Sequence, residues 1–578
     1  MKKKIILITS LIALTILVGI ITLIVEKKQG KIDKSSKDTT SVIDMTINTD
    51  DDNEKIDWSQ YKSESYKLTK SLKITEGGTY NLTGTISNGL ITIDTTSDVK
   101  IILNNVKIKN QTGPAIYVKN SQNTIIELKE NSKNYLEDGK EYKDYEDEVV
   151  GVIYSHDDIT FEGLGTLEVV SNNSDAIVGK DDLKIISGTY IINSKDDGIR
   201  GKDSVYIKDG NFSITSKGDG IKSTNTTDKE KGFILIENGT FNISSVLDAI
   251  SSESKISIKD GTFNITTGEK NNNLFENDIQ GSKNEKNTSN KSAKGIKAAD
   301  SFLLENGILN LNTLDDAIHC NNYVGIKNGK LNITSNDDAI HADKEIIIDS
   351  GDININKSYE GLEAAKITIN GANINVISSD DGINIAGGND NSAMNRPGEN
   401  NYNQNTDNIL TINNGNIYIN AKGDGIDING IGYINGGTLK IDGPENNGNG
   451  TLDYDSDLLV NGGEVIAGGS SGMLQTFSEK SQLYSVTIIF KNSYNEKDTI
   501  TITDESKNII ATYNSKKSYN SLIVASDKIQ KNKEYTININ NSKYETFKVS
   551  NKNTIIGNIT NQKGPGENQH NPPPPRPR

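Results

Sequence analysis

The sequence has one cysteine, Cys320, so no disulfide forms within the chain. Burial as a small hydrophobe explains that residue better than a reactive thiol. Tryptophan occurs once, and aromatics make up 6% and hydrophobic residues 33% of 578 positions. That is thin for one thick globular core, but sufficient for a repeat fold, where each unit needs only a few inward side chains. Basic residues are also short, with 62 Lys and Arg against 78 Asp and Glu and a formal charge of −16. This balance argues against nucleic acid as a partner and suits cations, which a surplus of carboxylates attracts. Amphipathic helical patterning is missing from the central region, where Gly, Asn and Asp recur every few residues.

At the start, Met1-Lys2-Lys3-Lys4 precedes a charge-free, mostly apolar run from Ile5 to Val25. A basic start and an apolar core fit a secretory signal, and the run approaches the roughly 20 residues that span a bilayer. No small-residue cleavage site follows, only Glu26-Lys27-Lys28-Gln29. Residues 1–26 are therefore expected to be an uncleaved membrane anchor with the body outside the cell, and a secreted protein results if the segment is cleaved. Residues 27–58 are polar, include Asp50-Asp51-Asp52, and read as a flexible stalk. Residues 561–578 contain Pro572-Pro573-Pro574-Pro575 and read as an exposed tail.

Between these ends a phrase, Asp-(Gly/Ala)-Ile, recurs at Asp175, Asp197, Asp219, Asp248, Asp316, Asp338, Asp381 and Asp424. Variants stand at Lys294-Gly295-Ile296 and Glu360-Gly361-Leu362. The regular step is 22 residues, and the longer steps carry insertions around Asn271 to Asn290 and Gly387 to Asp407. Each repeat also holds a Gly followed by alternating apolar residues, as in Gly210, Phe212 and Ile214 or Gly261, Phe263 and Ile265. Alternation with β-branched residues means strands, and a unit of this length has room for about three. The fold expected is all-β, a right-handed parallel β-helix over residues 59–468. Strands without the phrase continue over 469–560 and predict a small sandwich-like β module.

Stacked coils set equivalent residues in columns. The Asp of the phrase forms one column, doubled by Asp196, Asp315, Asp337 and Asp380. Carboxylates about 5 Å apart repel by about 3 kcal/mol at an effective dielectric near 20. Ca²⁺, which takes about 6–8 oxygens, relieves such repulsion, and its candidate ligands are Asp196, Asp197, Asp219, Asp315, Asp316, Asp337 and Asp338. The plainer alternative, Asp that makes turns by bonding its side chain to backbone, stays open. The residue after Ile should face outward, giving Val178, Arg200, Lys222, Ser251, Lys297, His319, His341, Glu363, Asn384 and Asp427. Arg200, Lys222, Lys297, His319 and His341 are candidates for meeting an acidic polysaccharide, whose carboxylates pair with cations. No third ligand is evident for a transition metal at His319 and His341.

The phrases Ser194-Lys195-Asp196-Asp197-Gly198-Ile199-Arg200 and Lys217-Gly218-Asp219-Gly220-Ile221-Lys222, with Gly78-Thr79-Tyr80-Asn81-Leu82-Thr83-Gly84 and Gly113-Pro114-Ala115-Ile116, resemble those of bacterial carbohydrate-binding domain-containing proteins. The resemblance covers roughly residues 70 to 465. It implies a parallel β-helix similar to pectate lyases, calcium at Asp196, Asp197 and Asp219, and binding of cellulose or acidic sugars. The Asn-rich insertions and the Glu360 coil depart from the family pattern. Three functions follow as readings: a calcium-dependent, non-catalytic carbohydrate-binding protein of the cell surface; a calcium-dependent polysaccharide lyase; and a structural or adhesion protein of the envelope.

Overall fold

The computed structural model describes Val42, Ile47 and residues 56–146, 148–268, 292–386 and 407–557. The expected anchor, the Asp50–Asp52 stretch, most of both insertions and the Pro-rich tail lie outside the described residues. Among the described residues, no helix is long and apolar enough to cross a membrane, and the only helical element is the turn Trp58–Gln60.

The rest is strand, and the pairing is overwhelmingly parallel. Three strand columns build the stack. One holds the short strands that end each Asp phrase, such as Ile199–Gly201, Ile221–Ser223 and Ile250–Ser252. Ile177 pairs with Ile199, Ile199 with Ile221, Ile221 with Ile250, and Ile250 with Ile296. The register thus passes across the first insertion without a slip, and Ile383 pairs with Ile426 across the second. A slip of one residue would turn every isoleucine outward, so burial of one face fixes the pairing.

The second column includes Ser204–Ile207 and Phe233–Ile236, and the third Asn211–Ser216, Thr240–Ser245 and Thr262–Thr267. Side chains from all three point inward to one continuous core. Tyr190, Phe212, Phe241 and Phe263 stack through it, with neighbouring ring centroids 5.1, 4.7 and 4.6 Å apart. The glycines that open the third strands at Gly188, Gly210, Gly239, Gly261, Gly307 and Gly329 have positive φ, 127° at Gly261, where a Cβ would sit 2.9 Å from the carbonyl oxygen of Gly239. The corner therefore needs glycine both for its backbone conformation and for coil-to-coil contact. Cys320 is fully buried in the core, as its residue type implied.

Beyond the coils, Glu464–Gly469 pairs with Tyr519–Ser526 in antiparallel fashion, and that strand pairs likewise with Ser485–Tyr494. A separate four-stranded antiparallel sheet holds Ile500–Asp504, Ile509–Tyr513, Glu534–Ile539 and Ser542–Lys548. These strands share a second core with Val486, Leu522 and Val524. From the segment expected to be a stalk, Val42 is buried beside Leu303 and Ile347 and donates its backbone N–H to Asp349.

Candidate functional site

The Asp column lies on the turns that lead into the first strand column. Each of its carboxylates divides its work between its two oxygens. Oδ1 accepts a backbone N–H from the next coil: Asp175 from Asp197 at 3.1 Å, Asp197 from Asp219 at 2.9 Å, and Asp219 from Asp248 at 2.9 Å. The same bond runs from Lys294 to Asp248, from Asp338 to Asp316, from Glu360 to Asp338 and from Asp424 to Asp381. The turn chemistry left open by the sequence is therefore present throughout, and extends from coil to coil rather than staying within one turn.

Oδ2 faces a cation. Arg200 lies 2.8 Å from Oδ2 of Asp175, and Lys222 lies 2.8 Å from that of Asp219 and 3.5 Å from that of Asp197. Lys297 approaches Asp248 at 3.4 Å, while Lys294 and His319 meet Asp316 at 2.5 and 2.9 Å. His341 Nδ1 stands 3.4 Å from Asp338. The basic residues expected to form an outward sugar-facing strip are thus the counterions of the Asp column. Asp197 and Asp219 are brought together as expected, with Lys222 between them, and Asp196 is exposed beside them. Asp315 joins Asp316 through Lys294, and Asp337 is exposed next to that pair.

Burial pushes Asp219 up to about 6 against the pull of Lys222. It pushes Asp175 to about 6 as well, with Arg200 opposing. For Asp316 burial is outweighed by His319 and Lys294, which hold it well below the usual carboxylate range.

The pattern breaks at the coils of Asp381 and Asp424. Ligand oxygens of Asp381, Asp424 and Asp427 lie within 4.8 Å of one another, and among the described residues no Lys or Arg pairs with them. Burial, then Asp424 and Asp380, push Asp381 up to about 9; burial, then Asp424 and Asp453, push Asp427 to about 8. Burial raises Asp424 to about 7. Asn384, in the Asp381 coil and in register with Asp427, donates through Nδ2 to Glu360 at 2.8 Å, and its buried Oδ1 has no hydrogen-bond partner. Gly423 is packed so closely that a Cβ there would fall on Oδ1 of both Asp380 and Asp381. Three carboxylates without a counterion, beside a free amide oxygen, form an all-oxygen donor set of the kind Ca²⁺ takes. Asp381, Asp424 and Asp427 were not among the metal ligands expected from sequence. Their signal was the absence of Arg, Lys or His after the phrase in these coils.

Residues 69–339 match the model of a family described as carbohydrate-binding domain-containing protein. A carbohydrate-binding domain-containing protein of Acetivibrio thermocellus is 34% identical over 128 residues, or 21% of this chain. The matched stretch spans 45% of that relative's length. A solved structure of the polysaccharide lyase-like protein from C. thermocellum, a gadolinium derivative, aligns at 32% identity with a TM-score of 0.35. That alignment covers 36% of this chain and 91% of the other. The resemblance carried by the coil phrases is borne out over the matched residues.

Proposed function

We propose that this chain is a calcium-dependent, non-catalytic carbohydrate-binding protein, held at the cell surface by its N-terminal segment and directed at cellulose or acidic, pectin-like polysaccharide. The match of residues 69–339 to carbohydrate-binding domain-containing proteins supports the ligand class. The observation that carries the calcium is the uncompensated carboxylate group of Asp381, Asp424 and Asp427. Calcium there replaces the protons that the buried carboxyls otherwise hold, and leaves coordination positions for the carboxylate or hydroxyls of a sugar. Along the same face, the side chains of Arg200 and Lys297 remain 27 and 40% exposed, enough to offer further donors to a chain of acidic sugars. In this reading the coils form a right-handed β-helix with a 22-residue repeat, closed by a small C-terminal β module.

Ion pairing speaks against the lyase reading. Elimination needs a Lys or Arg free to take a proton beside a metal-bound uronate. Arg200, Lys222 and Lys297 are each engaged by an aspartate. Although burial opposes it, Asp219 and Asp197 raise Lys222 above its ordinary value, away from that of a working base.

A glycan array probed with and without chelator tests the proposal. Binding to acidic glycans that disappears with chelator is the expected result, and binding indifferent to chelator removes calcium from it. No binding to any glycan sinks the carbohydrate reading. Release of unsaturated products from polygalacturonate would move the assignment to a lyase.

A further inference from the structure

We propose that Asp338, His341 and Glu363 form a second metal site, selective for zinc-like transition ions rather than calcium. This inference stands apart from the calcium placed at Asp381, Asp424 and Asp427, and it reassigns Asp338 and His341, which the sequence offered as a calcium ligand and a sugar contact.

Coil stacking assembles the group from three places in the chain. Asp338 ends a turn, His341 follows it on Ile340–Ile348, and Glu363 sits beside His341 on Leu362–Ile369, in register with it. All three are more than nine-tenths buried, at 7, 3 and 8% exposure. Their ligand atoms lie within 4.8 Å of one another.

The spacing fits an ion held between the three groups. His341 Nδ1 is 3.4 Å from Oδ2 of Asp338 and 3.4 Å from Oε2 of Glu363. Charge-assisted hydrogen bonds to carboxylates run at about 2.7–2.9 Å. Ligands about 2.0–2.1 Å from a tetrahedral zinc stand about 3.3–3.4 Å apart, because each pair spans a tetrahedron edge. Two carboxylates in one buried pocket also repel, and a single imidazole offsets only one of them.

The far side of the ring supplies an independent sign. His341 Nε2 is buried with no hydrogen-bond partner, and the nearest carboxylate oxygen, Oδ1 of Asp343, lies 3.5 Å away. A metal-bound imidazole donates its other N–H to a carboxylate or carbonyl, which fixes tautomer and ring orientation. Metal on Nδ1 leaves the proton on Nε2, facing Asp343. One nitrogen and two carboxylates suit zinc and its neighbours, whereas calcium takes oxygen alone. His319, one coil earlier with its ring centroid 4.7 Å from that of His341, is held by Asp316 at 2.9 Å, so the fourth position falls to water.

The test is a titration of the untagged full-length chain, stripped with chelator and dialysed, with Co²⁺ as the spectroscopic probe. One equivalent is expected to give the strong visible bands of a four-coordinate centre, bleached by one equivalent of Zn²⁺ and not by excess Ca²⁺. His341→Ala and Glu363→Gln are expected to lose the bands, while His156→Ala, at a separate cluster, keeps them. Should His341→Ala fail to fold, Glu363→Gln, which keeps size and removes charge, decides alone. Absence of the bands in the wild type, their persistence in Glu363→Gln, or bleaching by calcium overturns the proposal.

Discussion

Lys222 joins two coils: its Nζ lies 2.8 Å from Oδ2 of Asp219, three residues before it, and 3.5 Å from Oδ2 of Asp197 in the preceding coil. Both carboxylates are almost wholly buried, so removing the amine leaves two uncompensated charges facing each other. Lys222→Met, which keeps the apolar stem, is expected to cost about 2 kcal/mol at pH 7, between the values for exposed and buried pairs. Urea unfolding measures it. At pH 5 the loss should shrink, because Asp219, raised to about 6, is then protonated. An equal loss at both pH values would contradict this account.

Gly423 tests the calcium assignment without replacing a ligand. A Cβ there collides with Oδ1 of Asp381 and Asp380. Calcium is expected to raise the melting temperature of the wild type, and Gly423→Ala should abolish that rise. Asp427→Asn should weaken that rise by removing one ligand charge.

Without calcium, the same site is expected to make the protein base-labile. A carboxyl whose pKa is higher folded than unfolded takes up a proton on folding. Its stabilisation is complete below the unfolded value and is lost as pH rises through the folded one. Unfolded Asp titrates near about 3.9, and Asp424, Asp427 and Asp381 stand at about 7, 8 and 9. In chelator, the urea midpoint should fall steadily from about pH 4 to about pH 9. Saturating calcium should flatten that slope, since the ion replaces the protons.

The aromatic stack sets a stability prediction far from any charge. Phe241 is fully buried between Phe212 at 4.7 Å and Phe263 at 4.6 Å. Phe241→Ala should cost about 3–5 kcal/mol, as ring-sized cavities do. Far-UV circular dichroism against urea reads the loss, and a change under about 1 kcal/mol would show that the stack repacks freely.

The stacking was legible in the sequence because Asp-Gly-Ile and the Gly-x-Phe-x-Ile alternation state both period and inward face. The counterion arrangement was not. Reading Asp197 and Lys222 as members of two columns kept them apart, although the side chain of Lys222 bends back to the coil below. Glu363 was visible one coil after His341, but as part of an outward face rather than a third ligand; only the turn of the His341 ring brings Nδ1 to it. Asp381 and Asp424, 43 residues apart, stand in the sequence as successive members of the column across an insertion, but that neither has a cationic partner among the described residues follows only from the placed side chains.

The reversal of chain direction at Tyr519–Ser526 bears on self-assembly. A coil that ends in open parallel edges offers its bare N–H and C=O groups as a template, on which another molecule's first coil could continue the stack into a filament. Here Glu464–Gly469 is matched residue for residue by a strand running the other way, from Ser526 opposite Glu464 to Ser521 opposite Gly469. That strand's far edge is taken in turn by Ser485–Tyr494. That column is terminated by polarity: a further parallel strand finds no edge of matching direction there, and its blocking needs no charge repulsion.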